Sequence, residues 1–290
     1  MMAVPAEQSR KLNPEQQSFY AEKGYFFPHR VFGSEEADGF QTRFLEYMDQ
    51  NAHRLRGLLQ RDRRIYLSDM HLFLGWVYRI VSHSFVLDAV ESVLGPNILV
   101  WGSQWFPKLP GDRAYVSWHQ DGTYWGLHPP NVTTAWIAFS ESTPENGCMR
   151  VVPGTHKTPK LPQRETYAPD NMLSRGQEIA VEVDEAQAVD LILQPGETSL
   201  HHIGLVHGSG PNNSNRARIG LAVRYIGPEV MQGGPVRDIA VLVRGKDEYG
   251  HFDLAEPPQR DTSPEDSPIH AEASRRKAAN TLPKDVARPR

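Results

Sequence analysis

From Ile98 onward the chain is cut into short β-prone runs by clusters of proline, glycine and asparagine, and this rhythm limits the fold more than any other feature. The runs cover residues 98–106, 132–139, 149–152, 190–193, 198–202 and 219–226. Between them lie breakers such as Pro144-Glu145-Asn146-Gly147 and Gly210-Pro211-Asn212-Asn213. Many short strands with turn signals favour a β-sandwich or barrel. Helices do not alternate with the strands, so a parallel α/β sheet is not expected.

The first third reads differently. Asn13-Pro14-Glu15 looks like an N-cap, a first-turn proline and an acid at the positive helix end, with Gly24 as the stop. Ser34-Glu35-Glu36 opens a second helix, with Phe40, Phe44 and Met48 at helical spacing. A third is expected over 84–94, closed by Gly95-Pro96. These helices are expected to pack on the outside of a sheet. The fold class is therefore mainly β with flanking helices.

One domain over residues 1–255 is expected, since 290 residues can form a single large β unit. Residues 154–188, with Pro159, Pro162 and Pro169, read as a long polar insertion that can shape a binding site. Residues 256–290 are rich in Pro, Asp, Ser and Arg. That composition predicts a loosely ordered tail with a turn or two of helix around 271–279. Its basic end, from Arg275-Arg276-Lys277 to Arg290, reads as solvated charge.

Bulk properties exclude several classes. The formal net charge of −4 leaves no global footprint for nucleic acid. Cys148 is the single cysteine, which rules out an internal disulfide and fits a reducing compartment. No run approaches the roughly 20 apolar residues of a membrane helix, and the first residues lack the pattern of a secretory signal. A soluble cytoplasmic protein, monomeric or homodimeric, is the expectation.

The chemistry concentrates in Trp118-His119-Gln120-Asp121-Gly122. Residues i and i+2 of a strand share a face, so His119 and Asp121 can reach one ion together. A second imidazole would complete a two-His-one-carboxylate triad with open positions for reactants. Taken alone, His-x-Asp is weak, because a surface His beside a turn Asp looks the same. The third ligand must come from the segment His201-His202-Ile203-Gly204-Leu205-Val206-His207-Gly208. His207 has the best setting, just before Gly-Ser-Gly-Pro-Asn. His201 and His202 are adjacent and face opposite ways in an extended chain, so one can be buried as support for the ligands.

Arg218 follows eleven residues later, at the start of an alternating run. A guanidinium at the base of an apolar barrel is costly unless paired, and a dicarboxylate could be its partner. Arg216 is the competitor, since it is two residues earlier and faces the same way. Arg224 could meet substrate or an internal acid. Tyr124 and Trp125, past the metal-binding turn, read equally as pocket walls and as plain core.

The motifs Trp118-His119-Gln120-Asp121, Tyr124-Trp125, Pro144-Glu145-Asn146-Gly147-Cys148-Met149, Val152-Pro153-Gly154-Thr155-His156 and His207-Gly208-Ser209-Gly210-Pro211-Asn212 with Arg218 occur in this order. Together they resemble the phytanoyl-CoA dioxygenase family of iron(II)/2-oxoglutarate oxygenases over residues 20–252. That family includes bacterial ectoine hydroxylase and 2-aminoethylphosphonate hydroxylase. The resemblance implies a double-stranded β-helix, a jelly-roll barrel of cupin type, with helices on one side. It implies iron(II) held by His119, Asp121 and His207, with Arg218 and Ser209 on the far carboxylate of 2-oxoglutarate. Gln104 and Trp136 fall near its co-substrate pocket, and His156 reads as a turn residue. Dioxygen is the second co-substrate and ascorbate an assisting reductant.

The implied activity hydroxylates an unactivated C–H bond of a small metabolite, releasing succinate and carbon dioxide. Substrates of that type include amino acids, zwitterions, phosphonates and acids bound to a carrier protein or to CoA. Desaturation or ring closure could follow from the same oxidant. Halogenation is disfavoured, because family members that chlorinate have a small residue where Asp121 stands. A cupin-like isomerase or a binding protein is the reading from another class, since zinc also accepts His-Asp-His; Arg218 with Ser209 argues against it. Arg64, Lys157 and Arg175 could meet an anionic substrate group or be solvated surface charge.

Overall fold

A computed structural model of the protein describes residues 10–58 and 62–281. The N-terminal stretch and the last part of the basic end lie outside the described residues.

The opening helix, Pro14–Lys23, is bounded as its residues dictate. Asn13 accepts from the Gln16 amide at 2.9 Å and the Gln16 side chain accepts from the Asn13 amide at 2.8 Å, a reciprocal capping box. Gly24 ends the helix at φ 81, a left-handed turn that favours glycine. Helices Ser34–Gln50 and Ser84–Leu94 follow. Phe44 of the first stacks on Trp105 at 4.2 Å between ring centres.

Two sheets form the jelly roll. The larger has seven strands in the order Tyr25–Arg30, Glu197–His202, Val132–Ala138, Gly220–Ile226, Ile98–Trp105, Ile239–Arg244 and Asp253–Leu254. The smaller runs Val116–His119, Val206–Ser209, Met149–Val152 and Val189–Leu191. All pairings are antiparallel except the last of the large sheet.

Alternation sends one set of side chains from the large sheet to the helices and the other into the barrel. Ala135, Ile137, Leu200, Leu221 and Val223 pack with Phe44, Val77, Ile80 and Val90 in the outer core. Trp136, Ala138 and Ala222 meet Met149, Val151 and Leu191 of the small sheet in the inner core. Covered on both faces, Val132–Ala138 is buried at every residue. That is why its sequence carries no charged residue and no apolar–polar alternation, with Thr133 and Thr134 buried among the rest.

The register lays the inner face out in rows. His201, Thr134, Arg224 and Gly102 stand side by side, and Ser199, Trp136, Ala222 and Gln104 form the next row. Polar residues on an inward face of a barrel need a use.

Two expectations about the periphery change. The 154–188 insertion contains a small hairpin, Gln163–Glu165 paired with Gln177–Ile179. The segment after Glu256 forms the helix Pro268–Thr281, which docks against the barrel. His270 is buried with its ring nitrogen 3.1 Å from the Ser68 carbonyl, and Asn280 donates to Asp238 at 2.7 Å. Lys277, expected to be solvated, binds Asp69 at 2.7 Å with its ammonium over Trp101. The helix has little apolar character, and these specific polar contacts, which composition does not reveal, hold it in place.

Burial works to raise the Asp69 carboxyl, yet the Lys277 charge holds it well below the usual carboxylate range. Breaking a buried pair leaves an uncompensated charge. Lys277→Met is therefore expected to destabilise the fold by about 3 kcal/mol. The readout is a lower urea midpoint at unchanged slope; an unshifted midpoint would show that the pair is not structural.

Candidate metal centre

The strand Val116–His119 ends at its histidine, and the chain turns through Asp121 into the short helix Gly122–Trp125. The neighbouring strand Val206–Ser209 places His207 directly opposite His119. Gly208 eases that approach: a Cβ on it would lie 3.0 Å from the Val116 carbonyl oxygen, so a side chain there would press the two ligand-bearing strands slightly apart.

His119, Asp121 and His207 are all buried, and their candidate ligand atoms lie within 4.8 Å of one another. His119 Nε2 is 3.4 Å from Asp121 Oδ1, and His207 Nε2 is 3.9 Å from Asp121 Oδ2. His119 Nδ1 faces the carbonyls of Ser117 at 2.9 Å and His207 at 3.1 Å. His207 Nδ1 faces the Leu205 carbonyl at 2.9 Å. A carbonyl oxygen only accepts, so both Nδ1 atoms carry the proton and both Nε2 lone pairs point at the shared space.

The electrostatics agree with a cation site. Burial pulls the His207 imidazole down to about 4, with the His119 ring adding to the fall. It is thus neutral at pH 7, as a metal ligand must be. Burial works to raise the Asp121 carboxyl, but the His119 and His207 rings beside it hold it well below the usual range. A carboxylate and two imidazoles form a donor set suited to a first-row divalent ion, including iron(II).

The other histidines separate as alternation requires. His201 is buried beside the triad, with Nε2 4.0 Å from Asp121 Oδ2 and no hydrogen-bond partner for Nδ1. His202 faces away, accepting from the Gly204 amide at 3.0 Å next to His156. His156 bonds the Ala21 carbonyl at 3.1 Å and lies outside the metal group.

Arg218 is buried, with Nη1 donating to Gly147 O at 2.6 Å and Nη2 to Phe106 O at 3.1 Å. Its Nε has no partner, and its guanidinium lies over the Trp136 ring. Burial lowers it to about 10. Arg216 does not share this direction. It sits in an exposed bend where Asn212 takes its carbonyl, and it pairs with Glu141 at 2.6 Å. Strand alternation does not apply because the strand begins only at Gly220.

Sequence reasoning missed Lys108. It is fully buried and bridges backbone to backbone with Arg218. Its ammonium donates to Ser209 Oγ at 2.7 Å and to the Gly210 carbonyl. Burial, then Arg218, lowers it well below its ordinary value. Pro107 and Pro110 flank it, so it resembles a loop lysine in sequence. Among the described residues no carboxylate pairs with Lys108 or Arg218. Two adjacent buried cations without an anion fit a site for a carboxylate.

Ser209 lies two residues beyond His207 on one strand, a step of about 6.8 Å. That is the order of the distance between the ends of a five-carbon diacid. Thr134 Oγ1 and Ser199 Oγ, on the inner face beside Trp136, are also buried without partners. The donor set and these orphaned groups accommodate a metal with 2-oxoglutarate.

A cavity of about 440 Å³ opens over His119 and Asp121. Gln104, Tyr124, Trp125 and Arg224 line it, together with Arg64, Arg175 and Lys277. Trp136, Ser209 and Arg218 lie outside that lining.

A family model described as phytanoyl-CoA dioxygenase matches residues 20–220. A probable alpha-ketoglutarate-dependent hypophosphite dioxygenase of Stutzerimonas stutzeri is 29% identical over 73% of this chain and 77% of its own length. The solved structure of ThoJ, a non-heme monooxygenase, is 32% identical with a TM-score of 0.79, covering 92% of this chain and 97% of that one. CytC3 with Fe(II) and alpha-ketoglutarate is 26% identical with a TM-score of 0.66, covering 88% and 97%.

Proposed function

The chain belongs to the phytanoyl-CoA dioxygenase family, and from that premise we propose that it hydroxylates an unactivated C–H bond of a small free metabolite. It is a 2-oxoglutarate-dependent non-haem iron dioxygenase. The observation that carries the residue assignment is the pair of buried cations, Lys108 and Arg218, of which Lys108 donates to Ser209, two residues beyond His207 of the His-Asp-His group.

In this reading His119 and His207 offer Nε2 to iron(II), held by their Nδ1–H bonds to backbone carbonyls, and Asp121 supplies the anionic ligand. Iron with 2-oxoglutarate and dioxygen supplies the oxidising equivalent, with succinate and carbon dioxide released. Arg218 takes the far carboxylate through its unpartnered Nε, Lys108 adds charge, and the Ser209 hydroxyl orients the end of the chain. Trp136 forms the wall and Gln104 the polar edge of that pocket. Tyr124 and Trp125 exclude water above the metal. The retained carboxylate at Asp121 favours hydroxylation over halogenation.

A cavity of this volume suits a small ligand, which favours a free metabolite over one carried on CoA. No helix of the described residues is long and apolar enough to cross a membrane, and a cytoplasmic site of action is part of the proposal.

The test is a succinate-release screen with iron, ascorbate and 2-oxoglutarate across amino acids, betaines, phosphonates and acyl thioesters. The expected result is succinate formed in step with a hydroxylated product from one free small molecule. Coupled turnover with acyl thioesters alone would overturn the free-metabolite reading.

A further inference from the structure

We infer that the cavity above the metal centre selects a substrate bearing an oxyanion group, a carboxylate or a phosphonate, and that Arg64 and Arg224 hold it. The inference rests on the co-substrate reading above, because it requires Arg218 and Lys108 to be engaged by 2-oxoglutarate.

The two arginines come from different elements. Arg224 stands on the inner face of the large sheet, in the row of His201, Thr134 and Gly102. Arg64 opens the short helix Arg64–Leu67. Both line the cavity that reaches His119 and Asp121.

Among the described residues, neither guanidinium has a hydrogen-bond or ion-pair partner, and the Nε of each is buried and unsatisfied. The other cations of the cavity are engaged: Lys277 with Asp69 at 2.7 Å and Arg175 with Glu165 at 2.8 Å. Arg224 lies over the Trp125 ring at 5.3 Å, which fixes its plane and leaves its N–H edge free. Burial, then the Arg224 charge, lowers Arg64 to about 10. Two converging cations repel one another, and an arriving anion removes that cost.

A charge count leads to the same conclusion. The two positive charges of iron(II) and the one of Arg218 already match Asp121 and the doubly charged 2-oxoglutarate, and Lys108 adds further positive charge, so no anion is left over for the cavity. Arg64 and Arg224 remain uncompensated. The aromatic walls favour the same choice. Rings can cage a cationic substrate, but here each of three rings already carries a protein cation. Lys277 lies over Trp101, Arg175 over Tyr124 and Arg224 over Trp125.

The experiment loads the protein with nickel(II), a redox-inert stand-in for iron, and saturating 2-oxoglutarate. Hexanoate, hexylphosphonate, hexanol and hexylamine are then titrated by calorimetry. The acids are expected to bind at least about tenfold tighter than the alcohol and the amine. Arg64→Gln and Arg224→Gln are each expected to weaken acid binding by about tenfold or more, and the lysine replacements at both positions to retain part of it. Equal binding or no binding of the four probes, or glutamine variants that match the wild type, overturns the inference. The affinity for 2-oxoglutarate is measured in the same proteins. Its loss in Arg218→Ala with retention in the glutamine variants supports the co-substrate reading. The reverse pattern overturns that reading and reassigns the arginine pair to the co-substrate.

Discussion

Replacing His207 with alanine is expected to weaken iron binding by more than about 100-fold, beyond the usual cost of losing a supporting residue around a metal, and to abolish turnover. The site offers a natural objection. His201 Nε2 lies 4.0 Å from Asp121 Oδ2, nearly the same as the 3.9 Å of His207, so the distance to Asp121 does not choose between them, although only His207 groups closely with His119 as well. Their other ring nitrogens also distinguish them. His207 Nδ1 is held by the Leu205 carbonyl, which fixes both tautomer and ring plane. His201 Nδ1 has no partner, and nothing sets its lone pair toward the ion. His201→Ala is therefore expected to keep its iron, while Asp121→Ala and His119→Ala lose it with His207→Ala. Ferrous titration of the purified variants with metal analysis reads the result. Full iron binding in His207→Ala, with loss in His201→Ala, would move the third ligand to His201.

The sequence makes legible whatever is local in period. His201 and His202 diverge because strand alternation is short-range, whereas Asp121 lies past the end of its strand, in a helical turn that brings it back to His119. Breakers bound the strands closely, since Pro and Gly act within a residue or two: the 149–152 run is a strand over those residues, and 132–139 is one residue long against Val132–Ala138. Legibility fails where placement depends on distant partners. Tyr25–Arg30 carries Pro28 and pairs only with a strand some 170 residues later in the chain. Lys108 looks like a loop residue until Arg218 pairs with it across 110 positions. The helix Pro268–Thr281 has little apolar stripe to announce its docking. Its anchors, Asp69, Asp238 and the Ser68 carbonyl, are all remote in sequence. Arg216 shows the converse failure: alternation does not reach a residue that lies in a bend, before the strand starts.

Arg218→Ala is expected to weaken 2-oxoglutarate binding by roughly two orders of magnitude or more, with iron still bound. Truncating one partner of a buried charge pair costs about 2–5 kcal/mol, and each 1.4 kcal/mol is about tenfold. The loss has three parts here. The carboxylate loses its guanidinium, and the Gly147 and Phe106 carbonyls lose their donors. Lys108 remains, but it is already committed to Ser209 and Gly210, and burial reduces its hold on a proton. Arg218→Lys is not expected to restore the site, because an ammonium cannot reach two carbonyls and a carboxylate in the plane that the Trp136 ring imposes. Arg216→Ala, which removes an exposed pair with Glu141, is expected to change the 2-oxoglutarate requirement by less than about twofold. The comparison is decisive because the two arginines differ in burial and not in type. A steep rise in the requirement for Arg216→Ala with none for Arg218→Ala would place the co-substrate clamp at the barrel rim. The reverse keeps it inside, where two cations wait without an anion.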